Sequence, residues 1–130
     1  MHPVPTIAEQ AGTLRAGASR SQDLIDTALA RIAAPEGEGA RAFTAVHADA
    51  ARRAAAVSDT LLAADQARSV LEGLPVSVKD LFDLQGETTL AGSVALKGEP
   101  PAARDAVAVQ RLKAAGAVVV GRTNMTEFAF

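Results

Sequence analysis

The stretch Gly73-Leu74-Pro75-Val76-Ser77-Val78-Lys79-Asp80 decides how the rest of the chain is interpreted. Its apolar residues alternate with Pro75 and Ser77, and this period of two predicts a short strand. Pro75 has no N–H for a ladder hydrogen bond, so we place it near the start of the strand or on an edge. The strand then brings Lys79 to its carboxyl end.

A second strand follows a helix near the end of the sequence. Apolar residues recur at helical spacing between Asp105, which we expect to open the helix, and Gly116, which we expect to end it. Residues 117–120 read Ala-Val-Val-Val, and such a run is typical of a strand covered on both faces, as in a parallel sheet. Strand, helix and strand in this order predict a right-handed parallel crossover.

Helical patterns dominate the chain before these strands. Thr6 and Glu9 have the spacing of a capping box, and they predict a helix that Gly17 ends. Three apolar residues fall on one face of this helix: Ile7, Ala11 and Leu14.

Two further helices are expected before residue 70. The first begins near Ser21, and its apolar stripe has helical period: Leu24, Ile25, Ala28, Leu29 and Ile32. The second is rich in alanine and runs from an N-cap at Asp49 to Ala64, with a core face that could hold Ala51, Ala54, Ala55, Leu61 and Leu62. Residues 42–46 lie between them and are either extended or the lead-in to the second helix.

Composition and charge limit the class of protein. A chain of 130 residues suits one domain, in which residues 1–70 form a helical lead-in and residues 71–130 begin an α/β core. The absence of cysteine excludes disulfides and thiolate metal sites and fits a cytoplasmic protein. His2 and His47 have no partner at ligand spacing, so neither a metal nor a cofactor is predicted. With a net charge of −2, no dense basic patch and no apolar run near ~20 residues, neither nucleic acid nor membrane is an expected partner.

Lys79 is the candidate catalytic residue. Ligand sites in open α/β sheets gather at the carboxyl ends of the strands, and a lysine partly removed from water there can act as a base. The alternative is an ordinary strand-end lysine that is solvated or paired with Asp80. Asp80 and Asp83 are in turn either a carboxylate pair or, as we favour, turn and salt-bridge residues.

Two later segments carry local signals. Gly92 and Ser93 end a loop of small residues, which either lets the backbone approach another group or makes a simple turn. Asn124 and Glu127 have the spacing of a last capping box and predict a short final helix.

Four segments together resemble the opening of the amidase signature family. They read GLPVSVKD at residues 73–80, TLAGS at 89–93, the helix of residues 105–116, and VVGRTNMTEFA at 119–129. The resemblance covers essentially the whole chain. It implies an α/β fold in which N-terminal helices precede the first strands and crossover helix of a mixed central sheet.

The resemblance also implies a reaction. Members of this family hydrolyse carboxamide C–N bonds with a Ser–cis-Ser–Lys triad, and Lys79 matches the family's lysine base. The Gly-Gly-Ser-Ser-Gly-type stretch that supplies both serines would follow Phe130, and Ser93 belongs to a different segment. We therefore expect the N-terminal part of an amidase that is inactive alone and that takes a small-molecule amide once completed.

Other readings remain open at this point. The chain could pair with a partner that carries the remaining half, or it could begin the glutamine-hydrolysing subunit of a tRNA amidotransferase. An independent small α/β ligand-binding module is a third possibility. Phe128 and Phe130 expose apolar area near the end of the sequence, so self-association through an exposed core is a further expectation.

Overall fold

A computed structural model of the protein describes residues 4–129. Its helices are α1 (Ile7–Arg15), α2 (Ser21–Ala33), α3 (Gly39–Ala42), α4 (Ala48–Ala63) and α5 (Val107–Ala114). Its strands are β1 (Phe43–Val46), β2 (Pro75–Lys79) and β3 (Val118–Thr123), and short 3₁₀ turns occupy Val94–Leu96 and Glu127–Ala129. The helices and strands build the α/β fold that the sequence predicts.

The three strands form one mixed sheet in the order β1-β3-β2. β2 runs parallel to β3 from Pro75↔Val118 to Lys79↔Thr123, which confirms the predicted parallel pairing across α5. β1 runs antiparallel to β3 on the other side. The ambiguous residues 42–46 are therefore mainly a strand, although they lie within the part of the chain expected to be helical.

Both faces of β3 are covered, as its run of valines predicts. Val118 and Val120 pack against Ile25 of α2 and against Ala51 and Ala55 of α4. On the opposite face, Val119 contributes to a second cluster made by Val78, Leu84 and Val109. A third cluster joins α1 to the residue before β2: Ala11, Leu14 and Leu74. The core therefore holds β2 and β3 side by side.

The first helix begins as its capping box predicts. The Glu9 amide donates to Thr6 Oγ1 at 3.2 Å, and the Thr6 amide donates to Glu9 Oε2 at 2.7 Å. Gly17 follows the helix with φ +68°, the left-handed conformation that a glycine adopts at low cost. The prediction for Ile7 is wrong, because its side chain is 65% exposed and only Ala11 and Leu14 are buried.

Two predicted helix starts are shifted. α4 begins directly after His47 rather than at an Asp49 cap, because β1 ends at Val46 and the His47 amide donates to Val120 O of β3 at 2.9 Å. α5 begins at Val107, two residues later than expected. Asp105 instead accepts hydrogen bonds from the Gln85 amide and from Lys113 Nζ. The core face of α4 is also narrower than predicted, since Ala54 is exposed.

A buried carboxylate fixes the entry into β2. Glu72 is 2% exposed and accepts from Ser58 Oγ at 2.6 Å and from Arg68 Nε at 2.7 Å. Burial by itself raises the pKa of the Glu72 carboxyl, but the hydrogen bonds from Arg68 and Ser58 outweigh it and lower the pKa to about 2. Gly116 must be glycine here, since its φ is +95° and a Cβ would lie 2.6 Å from Glu72 Oε2.

None of the helices between residues 4 and 129 is both long and apolar enough to cross a lipid bilayer.

Candidate active site

Lys79 is the last residue of β2, at the carboxyl end of the sheet, and lies opposite Thr123 of β3. Side chains alternate along a strand, so Val78 and Asp80 are buried and Lys79 points away from that core. The expectation that Lys79 is partly removed from water is wrong for this chain, where Lys79 is exposed. Its amine is therefore accessible from the carboxyl edge.

Asp80 forms a buried ion pair directly beside this lysine. Its Oδ1 lies 2.6 Å from Arg122 Nη1, and the two side chains are 1% and 4% exposed. The Asp80 amide also donates to Thr123 O at 2.9 Å, and Oδ1 accepts from the Leu90 amide at 3.3 Å. The salt-bridge role expected for Asp80 is confirmed, and its partner is Arg122 rather than Lys79.

The ion pair continues into a chain of charged groups. Arg122 Nε donates to Glu87 Oε2 at 3.2 Å, and Glu87 Oε1 lies 2.7 Å from His47 Nε2 at the start of α4. The second η nitrogen of Arg122 is buried without a hydrogen-bond partner among residues 4–129. These groups tie the carboxyl ends of β2 and β3 to the N-terminus of α4.

Asp80 and Asp83 have different partners. Asp83 Oδ1 accepts from Thr89 Oγ1 at 2.7 Å, whereas Asp80 belongs to the ion pair with Arg122. The turn role that we favoured for Asp83 agrees with this contact, because it holds the beginning of the small-residue loop against the end of β2.

Two loops meet beside the end of β2. The Phe128 amide donates to Ala91 O at 2.8 Å, and Ser93 Oγ donates to Glu127 Oε1 at 2.6 Å. Gly92 lies against the backbone of the second loop, where a Cβ would be 2.6 Å from the carbonyl oxygen of Met125. The expectation that this glycine permits a close backbone approach is confirmed.

The predicted last capping box is wrong. Glu127 is hydrogen-bonded to Ser93, and Asn124 Oδ1 accepts from the Met125 amide next to it. The segment Glu127–Ala129 is a 3₁₀ turn in which Phe128 has a φ of +50°. Ala91 in the facing loop also has a positive φ, of +48°. Such conformations are costly for residues with a Cβ and cluster at functional sites.

No metal centre accompanies these groups within the described part of the chain. Among residues 4–129, no three His, Asp or Glu side chains come together as a cation site. His47 faces Glu87 alone, and His2 lies outside the described residues.

A cleft of about 810 Å³ is lined by residues of α4, of β3 and of the segment between β2 and α5. It runs between α4 and α5, and its lining includes Val57, Lys113 and Val119 but not Lys79. Lys79 is exposed at the carboxyl edge and does not line this cleft.

Sequence reasoning placed Lys79 at the end of β2 and predicted a salt-bridge role for Asp80, but it predicted a helix in place of the second loop and missed Arg122 and Glu87. A charged residue in a strand covered on both faces needs a buried partner, but the strand was predicted only over residues 117–120, so Arg122 gave no such signal. Its partner could not be chosen from the sequence, since Asp80 lies 42 residues earlier.

Comparison with known proteins identifies the family. A family profile described as Amidase matches residues 23–130, which is more than half of the chain. The chain belongs to the amidase family. The fold agrees with this membership: the peptide amidase from Stenotrophomonas maltophilia superposes with a TM-score of 0.81 at 37% identity, over 94% of this chain and 25% of its own.

Two curated amidase relatives are also similar over most of the sequence. A glutamyl-tRNA(Gln) amidotransferase subunit from Anaeromyxobacter sp. (strain K) is 48% identical over 121 residues, which are 93% of this chain and 24% of the relative. The AtzE subunit of 1-carboxybiuret hydrolase from Pseudomonas sp. (strain ADP) is 46% identical over 117 residues, 90% of this chain and 25% of the relative. The chain thus spans about a quarter of the length of the amidases that it matches.

Proposed function

We propose that this chain is the N-terminal part of an amidase and that Lys79 is the base of its amide-hydrolysing site. The observation that carries the proposal is the place of Lys79 in the fold. It ends β2 at the carboxyl edge of the sheet, with its side chain accessible beside two loops that are held together. Fold similarity to a peptide amidase over 94% of the chain supports the same assignment.

The proposed chemistry follows from what a lysine can do at that position. In its neutral form Lys79 accepts a proton from an adjacent serine, which in turn accepts the proton of a nucleophilic serine. The activated oxygen attacks the amide carbon, and the C–N bond breaks as the proton is returned to the leaving nitrogen. Water then hydrolyses the acyl-enzyme. Both serines belong to the part of the amidase that these 130 residues do not span.

The isolated chain is therefore proposed to be inactive. A triad that lacks its nucleophile loses nearly all of its acceleration. The remaining protein is proposed to come either from the same polypeptide or from a partner that carries the missing part. Exposed apolar side chains near the carboxyl edge, among them Leu81 (45%), Phe82 (40%) and Val94 (75%), also favour self-association of the isolated chain. A mass that stays monomeric at all concentrations in sedimentation equilibrium would contradict this last proposal.

A glutamine-hydrolysing subunit is the second candidate. Its supporting observation is the 48% identity to a subunit of a glutamyl-tRNA(Gln) amidotransferase. The AtzE subunit of 1-carboxybiuret hydrolase is similar to nearly the same extent, at 46% identity. Both candidates imply hydrolysis of a small-molecule carboxamide. We propose that this occurs in the cytosol, where proteins rarely contain disulfides, because the chain has no cysteine.

A chimera tests the proposal. This chain replaces the matching quarter of the peptide amidase from Stenotrophomonas maltophilia, which keeps its own remaining three quarters. We expect the chimera to release ammonia from a peptide amide, because the two folds superpose over this region. A second chimera exchanges only residues 71–130, in case the N-terminal helices fail to pack. A folded chimera of either kind that releases no ammonia would contradict the proposal.

A further inference from the structure

Lys79 has a carboxylate as its immediate neighbour in the sequence. A negative charge close to a lysine favours the ammonium form, in which the nitrogen has no lone pair and cannot accept a proton. A lysine that acts as a general base must spend part of its time neutral at the working pH. An uncompensated Asp80 would therefore oppose the role proposed for Lys79.

The structure shows how this carboxylate is compensated. Asp80 and Arg122 are paired at 2.6 Å, and both side chains are almost completely buried. Opposite charges at that distance form a dipole whose field falls off much faster than that of a single charge. Strand alternation also turns Asp80 into the core while Lys79 faces out.

We propose that Arg122 is a positioning residue that acts on Lys79 through Asp80, by cancelling the neighbouring negative charge and by fixing the end of β2. This inference rests on the proposed role of Lys79 as a base. Asp80 Oδ1 also accepts a hydrogen bond from the Leu90 amide, so the pair orients the small-residue loop together with the strand end.

The contacts of Arg122 argue against a purely stabilising pair. Burying two charges costs desolvation energy, and hydrophobic replacements are often as stable as a buried ion pair. One η nitrogen of Arg122 is buried without a hydrogen-bond partner among residues 4–129, which adds to that cost. Glu87 and His47 are the other charged or titratable groups in this chain of contacts, and Glu87 accepts a hydrogen bond from Arg122 Nε.

The experiment is a titration of the lysine amines by NMR. The chain contains three lysines, Lys79, Lys97 and Lys113, so ¹³Cε-lysine labelling gives three signals that Lys→Arg variants assign. Lys97 and Lys113 serve as internal references. Lys113 has a carboxylate partner of its own, Asp105. The titration midpoint of Lys79 is compared in the wild type, Asp80→Asn, Arg122→Met and the double variant.

The proposal predicts opposite shifts. Asp80→Asn removes a negative charge and lowers the Lys79 midpoint by roughly 0.5 pH unit, and Arg122→Met removes the positive charge that compensates Asp80 and raises it by a similar amount. The double variant removes both charges and returns the midpoint to within about 0.2 unit of the wild type. The midpoints of Lys97 and Lys113 stay constant.

Two results would overturn the proposal. Single variants that leave the Lys79 midpoint unchanged would show that the pair does not act on the lysine. Single variants that shift it in the same direction would show that the end of β2 simply loosens. If Arg122→Met does not fold, Asp80→Asn and the double variant decide alone, because only the proposal predicts that the second substitution restores the midpoint.

This titration needs no substrate, so its outcome does not depend on whether the proposed function is correct. Opposite shifts together with an inactive chimera would reject the amidase role and keep the coupling between Arg122 and Lys79. An active chimera with unmoved midpoints would reject the coupling alone.

Discussion

Replacing Glu72 by glutamine is expected to destabilise the protein in a pH-dependent way. The carboxylate is buried and held by Arg68 and Ser58, which lower its pKa from an ordinary 4.5 to about 2. A carboxyl whose pKa is lower in the folded than in the unfolded state stabilises the fold at pH values above its pKa in the unfolded state. The stabilisation is therefore complete above about pH 5 and is lost as the pH falls from 4.5 towards 2.

The size of the effect follows from the shift. Each unit of pKa shift corresponds to about 1.4 kcal/mol, so the shift limits the contribution of Glu72 to the free energy of unfolding to about 3 kcal/mol. The Arg68 side chain is 41% exposed, and water screens its share of the interaction. We therefore expect Glu72→Gln to lower the free energy of unfolding by roughly 2 kcal/mol at pH 7 and by less than about 1 kcal/mol at pH 2.5.

Urea denaturation followed by circular dichroism measures both values. The matched control is Glu36→Gln, which changes an exposed glutamate in the loop after α2 and should leave the curves unchanged at every pH. The difference between Glu72→Gln and wild type must shrink as the pH falls from 5 to 2.5. A difference that stays constant over this range, or that is absent at pH 7, would refute the electrostatic explanation of the β2 entry.

Three further predictions concern the backbone, the loops and activity. Gly73→Ala should cost about 2 kcal/mol or more in urea denaturation, because φ is +77° and the new Cβ would lie 2.8 Å from Ser21 Cβ. Gly17→Ala, with φ +68° and open space, should cost only about 1 kcal/mol, and equal losses would argue against the clash. Ser93→Ala should speed hydrogen exchange of the Phe128 amide about tenfold, as the two loops separate more often. The purified chain should release no ammonia from benzamide or glutamine, and measurable turnover would contradict its proposed dependence on missing serines.

Local patterns predicted most of the secondary structure. The capping box of α1, the alternation in β2 and the valine run of β3 each depend on neighbours within a few residues, so the sequence alone is enough to identify them. The parallel pairing of β2 with β3 also followed, because a helix that connects two covered strands leaves few other arrangements.

Non-local contacts explain the errors. The spacing of Asn124 and Glu127 suits a capping box, but Glu127 is hydrogen-bonded to Ser93, which lies 34 residues earlier. Asp49 is a good N-cap residue, yet the pairing of β1 with β3 starts α4 at Ala48. Partners so far apart in sequence become apparent only once the strands are in register.

The same limit applies to the candidate site. Lys79 was predicted from its strand-end position and from the family resemblance, and the structure places it at the carboxyl edge. Arg122 was not singled out, because nothing local connects it with Asp80. The expectation that Lys79 is partly removed from water is wrong, since its side chain is exposed in the residues that the structure describes.

The most direct test of the central claim is the rate of ammonia release by the peptide amidase chimera when Lys79 is replaced by methionine. The control is Lys97→Met in the same chimera, which removes a lysine outside the sheet. If Lys79 is the base, its loss slows hydrolysis by about 10³-fold or more, and the Lys97 variant keeps the parent rate. A Lys79→Met chimera that hydrolyses the peptide amide within about tenfold of the Lys97 variant would contradict the account.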